Sequence, residues 1–151
     1  TPTSTASPTP LPSASGSPPS ALPSSFAAGQ LIRVPNIGAD RIARNGDTAN
    51  KIGSVSVALA CAAAGIPFVV AAPSSTVDLA TSSGDDIEIE MRSGDEVTAW
   101  SGVPTTPSGA RGFNPAFDVT PAAYISAVVT ECGVVEPGPG VTVDAVAGGA
   151  S

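Results

Sequence analysis

The chain has no histidine and only six basic residues against thirteen acidic ones. With no imidazole to offer, and with its acids at Asp85, Asp86, Glu88, Glu90, Asp95 and Glu96 spaced unlike a calcium loop, a metal site is not indicated and a solvated acidic edge is the simpler reading. The shortage of cations, a net charge of -7 and a pI near 4.2 leave no basic stripe for nucleic acid. Two cysteines, Cys61 and Cys132, are too few for a disulfide framework. No Gly-Lys-Ser/Thr follows a glycine at Walker A distance and no Gly-x-Gly-x-x-Gly occurs, so nucleotide binding is not indicated.

What is present is unevenly distributed. Residues 1–30 are almost entirely Ser, Thr, Pro, Ala and Gly, and no charge precedes Arg33. Such a segment buries too little apolar surface to offset its ordering entropy, which predicts a disordered low-complexity stretch. It has no basic start followed by an apolar core, so a secretory signal is not supported. A glycosylated stalk, a cloning scar or a mispredicted exon are the compositional readings, and the last two are favoured together. Residues 31–137 carry the folded domain, and the Gly, Pro and Ala content of 138–151 predicts a disordered tail.

Polar chemistry concentrates between Ile37 and Gly53. An apolar run, Leu31–Ile37, reads as a short strand with Pro35 near its end. Asp40 then emerges at the strand's carboxyl end, where open α/β sheets bind ligands. Asn45-Gly46 is a turn signal. Asp47 and Thr48 are good N-cap types, which predicts a helix starting there and places Asn50 and Lys51 in its first turn, a setting suited to phosphate. The pattern offers a carboxylate able to shuttle a proton beside an anion clamp, as a phosphosugar site requires. Spacing alone leaves a plainer alternative open: a turn cap at Asp40, a helix cap at Asp47 and a solvated lysine at 51.

The run Gly38-Ala-Asp-Arg-Ile-Ala-Arg-Asn-Gly-Asp-Thr-Ala-Asn-Lys-Ile-Gly53 closely resembles the signature of S-methyl-5-thioribose-1-phosphate isomerases. Their superfamily also holds ribose-1,5-bisphosphate isomerases and the regulatory subunits of the eukaryotic translation-initiation exchange factor. Further segments match in order: Gly65–Pro73 with Ser75–Leu79, Ile87–Arg92, and Asn114–Pro121 with Thr130-Glu131-x-Gly133-Val134. The resemblance runs from about Arg33 to Pro137 and corresponds to the C-terminal part of a family member. It implies an α/β fold, here a partial Rossmann-like parallel sheet with flanking helices. It also implies a cytoplasmic, homodimeric aldose-ketose isomerase of methionine salvage, working on a sugar phosphate without metal or organic cofactor, nucleic acid or membrane.

Transferred by motif position, Asp40 is the acid/base residue, and Asn50 with Lys51 holds the substrate's phosphate or hydroxyls. The family's catalytic cysteine, in a Thr-x-Cys-Asn setting, and its phosphate-binding arginines belong to upstream sequence not found here, so the isolated chain is expected to turn over little or nothing. Ser54-Val55 stands where Thr-Tyr is usual, and Cys132 replaces a basic residue. The alternatives are a non-catalytic regulatory or binding module of the exchange-factor type, a ribose-1,5-bisphosphate isomerase, and an unfolded gene fragment. Against the regulatory module stands the intact Gly-Ala-Asp-Arg and Asn-Gly-Asp-x-Ala-Asn-Lys set.

Elsewhere, Ile52, Val55, Leu59 and Ala63 recur at helical spacing with Val57, Ala58 and Cys61 beside them, predicting a largely buried helix. Gly65 and Pro67 divide it from a strand over 67–72, which argues a β-α-β unit over a membrane span. Ser75 and Thr76 leave that strand as either sugar ligands or caps, and Asp78 reads as structural. Ile87, Ile89 and Met91 alternate with glutamates as in a half-buried edge strand. Residues 93–100 hold one helical turn, 102–113 a loop carrying an exposed Arg111, and Phe117 anchors a corner. Thr120-Pro121 opens a helix whose buried face is Ile125, Val128 and Val129, ended by Gly133 ahead of a last strand at Val134-Val135.

Overall fold

The computed structural model describes residues 34–148. The expected low-complexity stretch, and residues 31–33 of the first strand, lie outside the described residues. In chain order the elements are β1 (Asn36–Ile37), β2 (Arg41–Ala43), β3 (Thr48–Lys51), α1 (Ser54–Ala64), β4 (Val69–Ala71), β5 (Val77–Asp78), α2 (Asp95–Thr98), β6 (Ala99–Trp100), β7 (Val103–Pro104), β8 (Phe117–Thr120), β9 (Ala127–Thr130) and β10 (Gly133–Val135). Short 3-10 turns lie at Ser74–Thr76, Gly84–Asp86, Ala122–Tyr124 and Asp144–Val146.

Two four-stranded sheets organise the chain. The first has the order β1-β4-β9-β10, with β1, β4 and β9 parallel and β10 antiparallel to β9. Its central strands are β-branched, as a strand buried on both faces requires, and Val70 and Val128 are fully buried side by side in register. The second has the order β5-β2-β3-β8 and mixes a parallel β2–β5 pair with antiparallel neighbours. Ile42, Ala58, Cys61, Phe68, Ile125 and the two valines form one core. The fold is therefore mixed α/β. The β1-α1-β4 crossover is present, but among the described residues α1 is the only helix longer than one turn.

Several elements depart from expectation, each for a physical reason. α1 is not largely buried: Ser54, Ala58 and Cys61 make a narrow buried stripe, while Val57 is 45% and Leu59 43% exposed. Only one side of the helix meets the sheets and the Ala122–Tyr124 turn. The segment after Pro121 is not a helix but one 3-10 turn followed by β9. Ile125, Val128 and Val129 satisfy helical spacing, yet Val128 and Val129 lie in a short β-branched strand that pairs with β4 and Ile125 ends the turn before it, and period alone does not separate the two. Residues 87–91 form no strand. Ile87 is buried, but the neighbouring Asn114–Ala116 backbone supplies only the Met91–Pro115 bridge, through Arg92 N–H to Asn114 O and Ala116 N–H to Glu90 O, both at 2.9 Å. The loop at 102–113 begins with a small β6–β7 hairpin.

The tail also differs. Residues 138–148 fold back over the domain, with Val143 and Val146 fully buried in the core. Val143 N–H donates to Arg44 O at 2.9 Å, and the Thr130 hydroxyl donates to Val146 O at 2.8 Å. Glycine and proline there permit the turns, and two valines are enough to anchor them. Burying a valine contributes on the order of 1.5–3 kcal/mol. Among the described residues no helix is long and apolar enough to cross a membrane.

Candidate functional site

The site residues sit on one hairpin. Ala43 N–H donates to Asp47 O at 2.9 Å and Gly46 N–H to Ala43 O at 2.8 Å, closing a turn over 44–46. Asn45 fixes it through its side chain, accepting the Asp47 N–H at 3.0 Å and donating to the Asp47 carboxylate at 2.8 Å. Gly46 has a φ of 92°, and a Cβ there would lie 3.0 Å from Pro137, so the position needs glycine twice over.

The returning strand is β3, so Asn50 and Lys51 end a strand and do not open a helix. β3 lies between β2 and β8, and its register, Thr48 with Thr120 through Lys51 with Phe117, engages the backbone in ladders on both sides. The helix starts only after Gly53, whose φ of 108° makes the sharp change of direction. Asp47 is likewise not a helix cap. Its carboxylate accepts Gly84 N–H at 2.9 Å and Ala122 N–H at 2.7 Å, joining the hairpin to two distant turns.

Helix α1's first amides are occupied as well. Asp118, which faces Asn50 in the β3–β8 ladder, accepts Gly53 N–H at 2.6 Å and Val55 N–H at 3.3 Å. Part of the helix start, expected as a phosphate cradle, is therefore taken by the protein's own carboxylate. Lys51, the chain's single lysine, lies just before this start, at the end of β3. It is exposed and forms no ion pair among the described residues, whereas Arg41, Arg44 and Arg92 are paired to Asp78, Asp144 and Glu96.

Asp40 stands across the hairpin from this end of β3. Arg41 pairs with Ala49, and Asp40 N–H donates to Ala49 O at 3.0 Å, so Asp40 lies one residue from Asn50 along the neighbouring strand. Its carboxylate is exposed and borders an open concavity of about 430 Å³, whose other walls are Arg41, residues 75–79, Ala147 and Gly148. Asn50 and Lys51 do not line that concavity. The hairpin thus brings the three predicted residues into one neighbourhood without enclosing them together, and Asp40 is not held in an apolar pocket.

Ser75 and Thr76 both reach the concavity, and the Thr76 hydroxyl also donates to Pro73 O at 2.8 Å, closing its own turn. Asp78 is structural, as expected: it takes the Thr81 hydroxyl at 2.9 Å, Ala80 N–H at 3.0 Å and the Arg41 guanidinium at 2.9 Å. The Thr81 hydroxyl above all, with the Ala80 amide and Arg41, holds its carboxyl below the usual range. Glu131 enters from the sequence only within the Thr130-Glu131-x-Gly133-Val134 segment of the resemblance, with no role given to it. It accepts both the hydroxyl and the N–H of Ser74, at 2.5 and 2.9 Å, and ties the end of β9 to the turn that walls the concavity. A glutamate at a strand end carries no pattern that announces a partner 57 residues away.

The sequence profile described as the initiation factor 2 subunit family matches residues 30–137. Methylthioribose-1-phosphate isomerase of Geobacillus thermodenitrificans is 57% identical over 113 residues, 72% of this chain and 32% of that protein. The Geobacter sulfurreducens enzyme of the same name is 61% identical over 99 residues, 66% of this chain and 29% of that one. The chain thus spans about a third of the length of these relatives. Among solved structures, 5-methylthioribose 1-phosphate isomerase from Pyrococcus horikoshii superposes with a TM-score of 0.64 at 45% identity, over 70% of this chain and 30% of that one. The translation initiation factor eIF-2B subunit delta from A. fulgidus superposes with a TM-score of 0.65 at 38% identity, over 74% of this chain and 32% of that one. With the profile covering most of its length, and relatives and folds in agreement, the chain belongs to the initiation factor 2 subunit family.

Proposed function

We propose that this chain carries the proton-transfer and anion-holding part of a methylthioribose-1-phosphate isomerase, an aldose-ketose isomerase of methionine salvage. In this reading Asp40 is the acid/base residue, and Asn50 and Lys51 hold the phosphate or hydroxyls of the substrate. The reading is supported by the isomerase names of relatives at 57–61% identity. What carries it structurally is an unpaired lysine at one end of a hairpin whose other strand begins at an exposed aspartate beside a concavity. The parallel β1-β4-β9 ladder suits one half of a Rossmann-like sheet, and the full protein is proposed as a cytoplasmic homodimer needing no metal or organic cofactor.

The chemistry explains the residue types. Phosphate on the anomeric oxygen blocks simple ring opening, so a proton donor must assist before hydrogen moves between C1 and C2. A carboxyl group does this best when shielded from water. Asp40 is exposed in this chain, so its shield is proposed to come from the remainder of the enzyme, and the 151-residue chain alone is expected to bind better than it turns over.

Thermal unfolding with 5-methylthioribose 1-phosphate tests the reading. Ligand at 100 times its Kd stabilises by about 2.7 kcal/mol, and the expected result is a rise in Tm that Lys51→Ala abolishes and Asp40→Asn retains. No rise, or an equal rise with Lys51→Ala, overturns it. The similarity to the A. fulgidus eIF-2B subunit favours a second reading, a non-catalytic regulatory module. That module would show no response to the sugar phosphate while remaining folded by circular dichroism.

A further inference from the structure

The concavity beside Asp40 is closed on one side by Ala147 and Gly148, which lie beyond the family-matched residues 30–137. We propose that the segment Val143–Gly148 is a specificity-determining wall of the ligand site, limiting the size of the sugar phosphate that can lie against Asp40 and Arg41. This rests on the reading of the concavity as part of the ligand site.

The wall is fixed to the scaffold at several points. Val143 and Val146 are fully buried in the main core, facing the strands and helix that also bury Ile42 and Phe68. The Asp144 carboxylate pairs with the Arg44 guanidinium at 2.9 Å, so the wall is tied to the turn of the same hairpin that carries Asp40. The hydrogen bonds from Val143 N–H to Arg44 O and from the Thr130 hydroxyl to Val146 O fix its register at both ends. Beyond Val146 the segment lies directly against the Ser74–Thr76 turn. A Cβ built on Gly148 would come 2.7 Å from the Ser74 hydroxyl, and that hydroxyl is already engaged by Glu131. At Gly148 the segment therefore has no room for a side chain toward the turn, and Ala147 beside it lines the concavity.

The lining has two kinds of chemistry. Asp40 and Asp78 present carboxylates and Ser75 and Thr76 hydroxyls, suited to the hydroxyl groups of a sugar, while Arg41 is held by Asp78. Leu79, Ala147 and Gly148 present small apolar surface and no group to pair with a further charge. A ligand of pentose phosphate size meets polar partners on one side and a steric limit on the other. The limit comes from residues outside the region that the family profile matches.

The test is a graded series at position 147 in the full chain, read by calorimetry with two probes, 5-methylthioribose 1-phosphate and inorganic phosphate. Ala147→Val and Ala147→Leu should weaken the sugar phosphate progressively, by tenfold or more for leucine, and leave inorganic phosphate within twofold. Equal affinity of all variants for the sugar phosphate overturns the wall while leaving the proposed function intact. Binding of neither probe by the parent overturns both. Independently of ligand, hydrogen exchange should find the Val143 amide protected, and exchange at the free-peptide rate overturns the wall whatever the variants do. Circular dichroism of Ala147→Leu matching the parent excludes misfolding, and a misfolded variant hands the decision to Ala147→Val.

Discussion

Asp118 accepts the backbone N–H of Gly53 at 2.6 Å, and with its longer contact to Val55 N–H joins the strand opposite Asn50 to the start of α1. The carboxylate does for the helix what an N-cap side chain ordinarily does, from 65 residues away in sequence. It also holds the Lys51–Gly53 turn, where the proposed anion-binding cation sits.

Replacing Asp118 should therefore cost about 1–2 kcal/mol of stability, the usual loss for removing a helix cap. Asp118→Asn should recover part of it through its amide oxygen, and Asp118→Ala none. Urea denaturation of the two variants measures the difference. Equal stability of Asp118→Ala and the parent would mean that solvent serves those amides as well.

Asp47 should matter more. Its carboxylate accepts the Asn45 amide and the backbone N–H groups of Gly84 and Ala122, and it is only partly accessible to water. Hydrogen bonds to a charged acceptor contribute about 1.5–3 kcal/mol each, and buried donors left without partners add to the cost. Asp47→Ala is expected to destabilise by about 3 kcal/mol or more, with lost protection of the Gly84 and Ala122 amides in hydrogen exchange. Protection unchanged at both amides would sink the assignment.

Stability should fall in acid. The Thr81 hydroxyl lowers the pKa of Asp78, the Ser74 hydroxyl that of Glu131, and the Thr142 hydroxyl followed by Arg44 that of Asp144. A carboxyl whose folded pKa lies below its unfolded one stabilises the protein above the unfolded value, near pH 4. It loses that contribution as pH falls through the folded value. Tm should accordingly be flat between pH 6 and 7 and drop below about pH 4.5. The combination Asp78→Asn, Glu131→Gln and Asp144→Asn should flatten the acid limb. Unchanged acid sensitivity in that triple variant would place the titrating groups elsewhere.

The hairpin turn at Asn45-Gly46 was legible because its dipeptide permits few conformations, and the simplicity of the β1-α1-β4 unit made it legible too: Gly65 and Pro67 divide an alanine-rich helix from a β-branched strand. The start of α1 was not legible. Thr48 to Lys51 has good capping residues before it and would serve either state, and the β2 and β8 ladders decide for strand. The run containing Ile125, Val128 and Val129 failed for the same reason, since its partner β4 lies far back in the chain. Glu131, Asp118 and the docking of Val143 and Val146 depend on contacts with sequence-distant segments, so no local pattern reveals them.

By itself the sequence determined the acidic charge, the motif that places Asp40, Asn50 and Lys51 within one short stretch, and the family whose chemistry those residues fit. Only the tertiary structure decided that the lysine ends a strand, that a carboxylate from β8 occupies the helix amides, and that the segment beyond Pro137 becomes a wall beside Asp40. Local sequence sets which conformations are cheap. Which of them is adopted is decided by backbone partners and buried surface supplied from dozens of residues away.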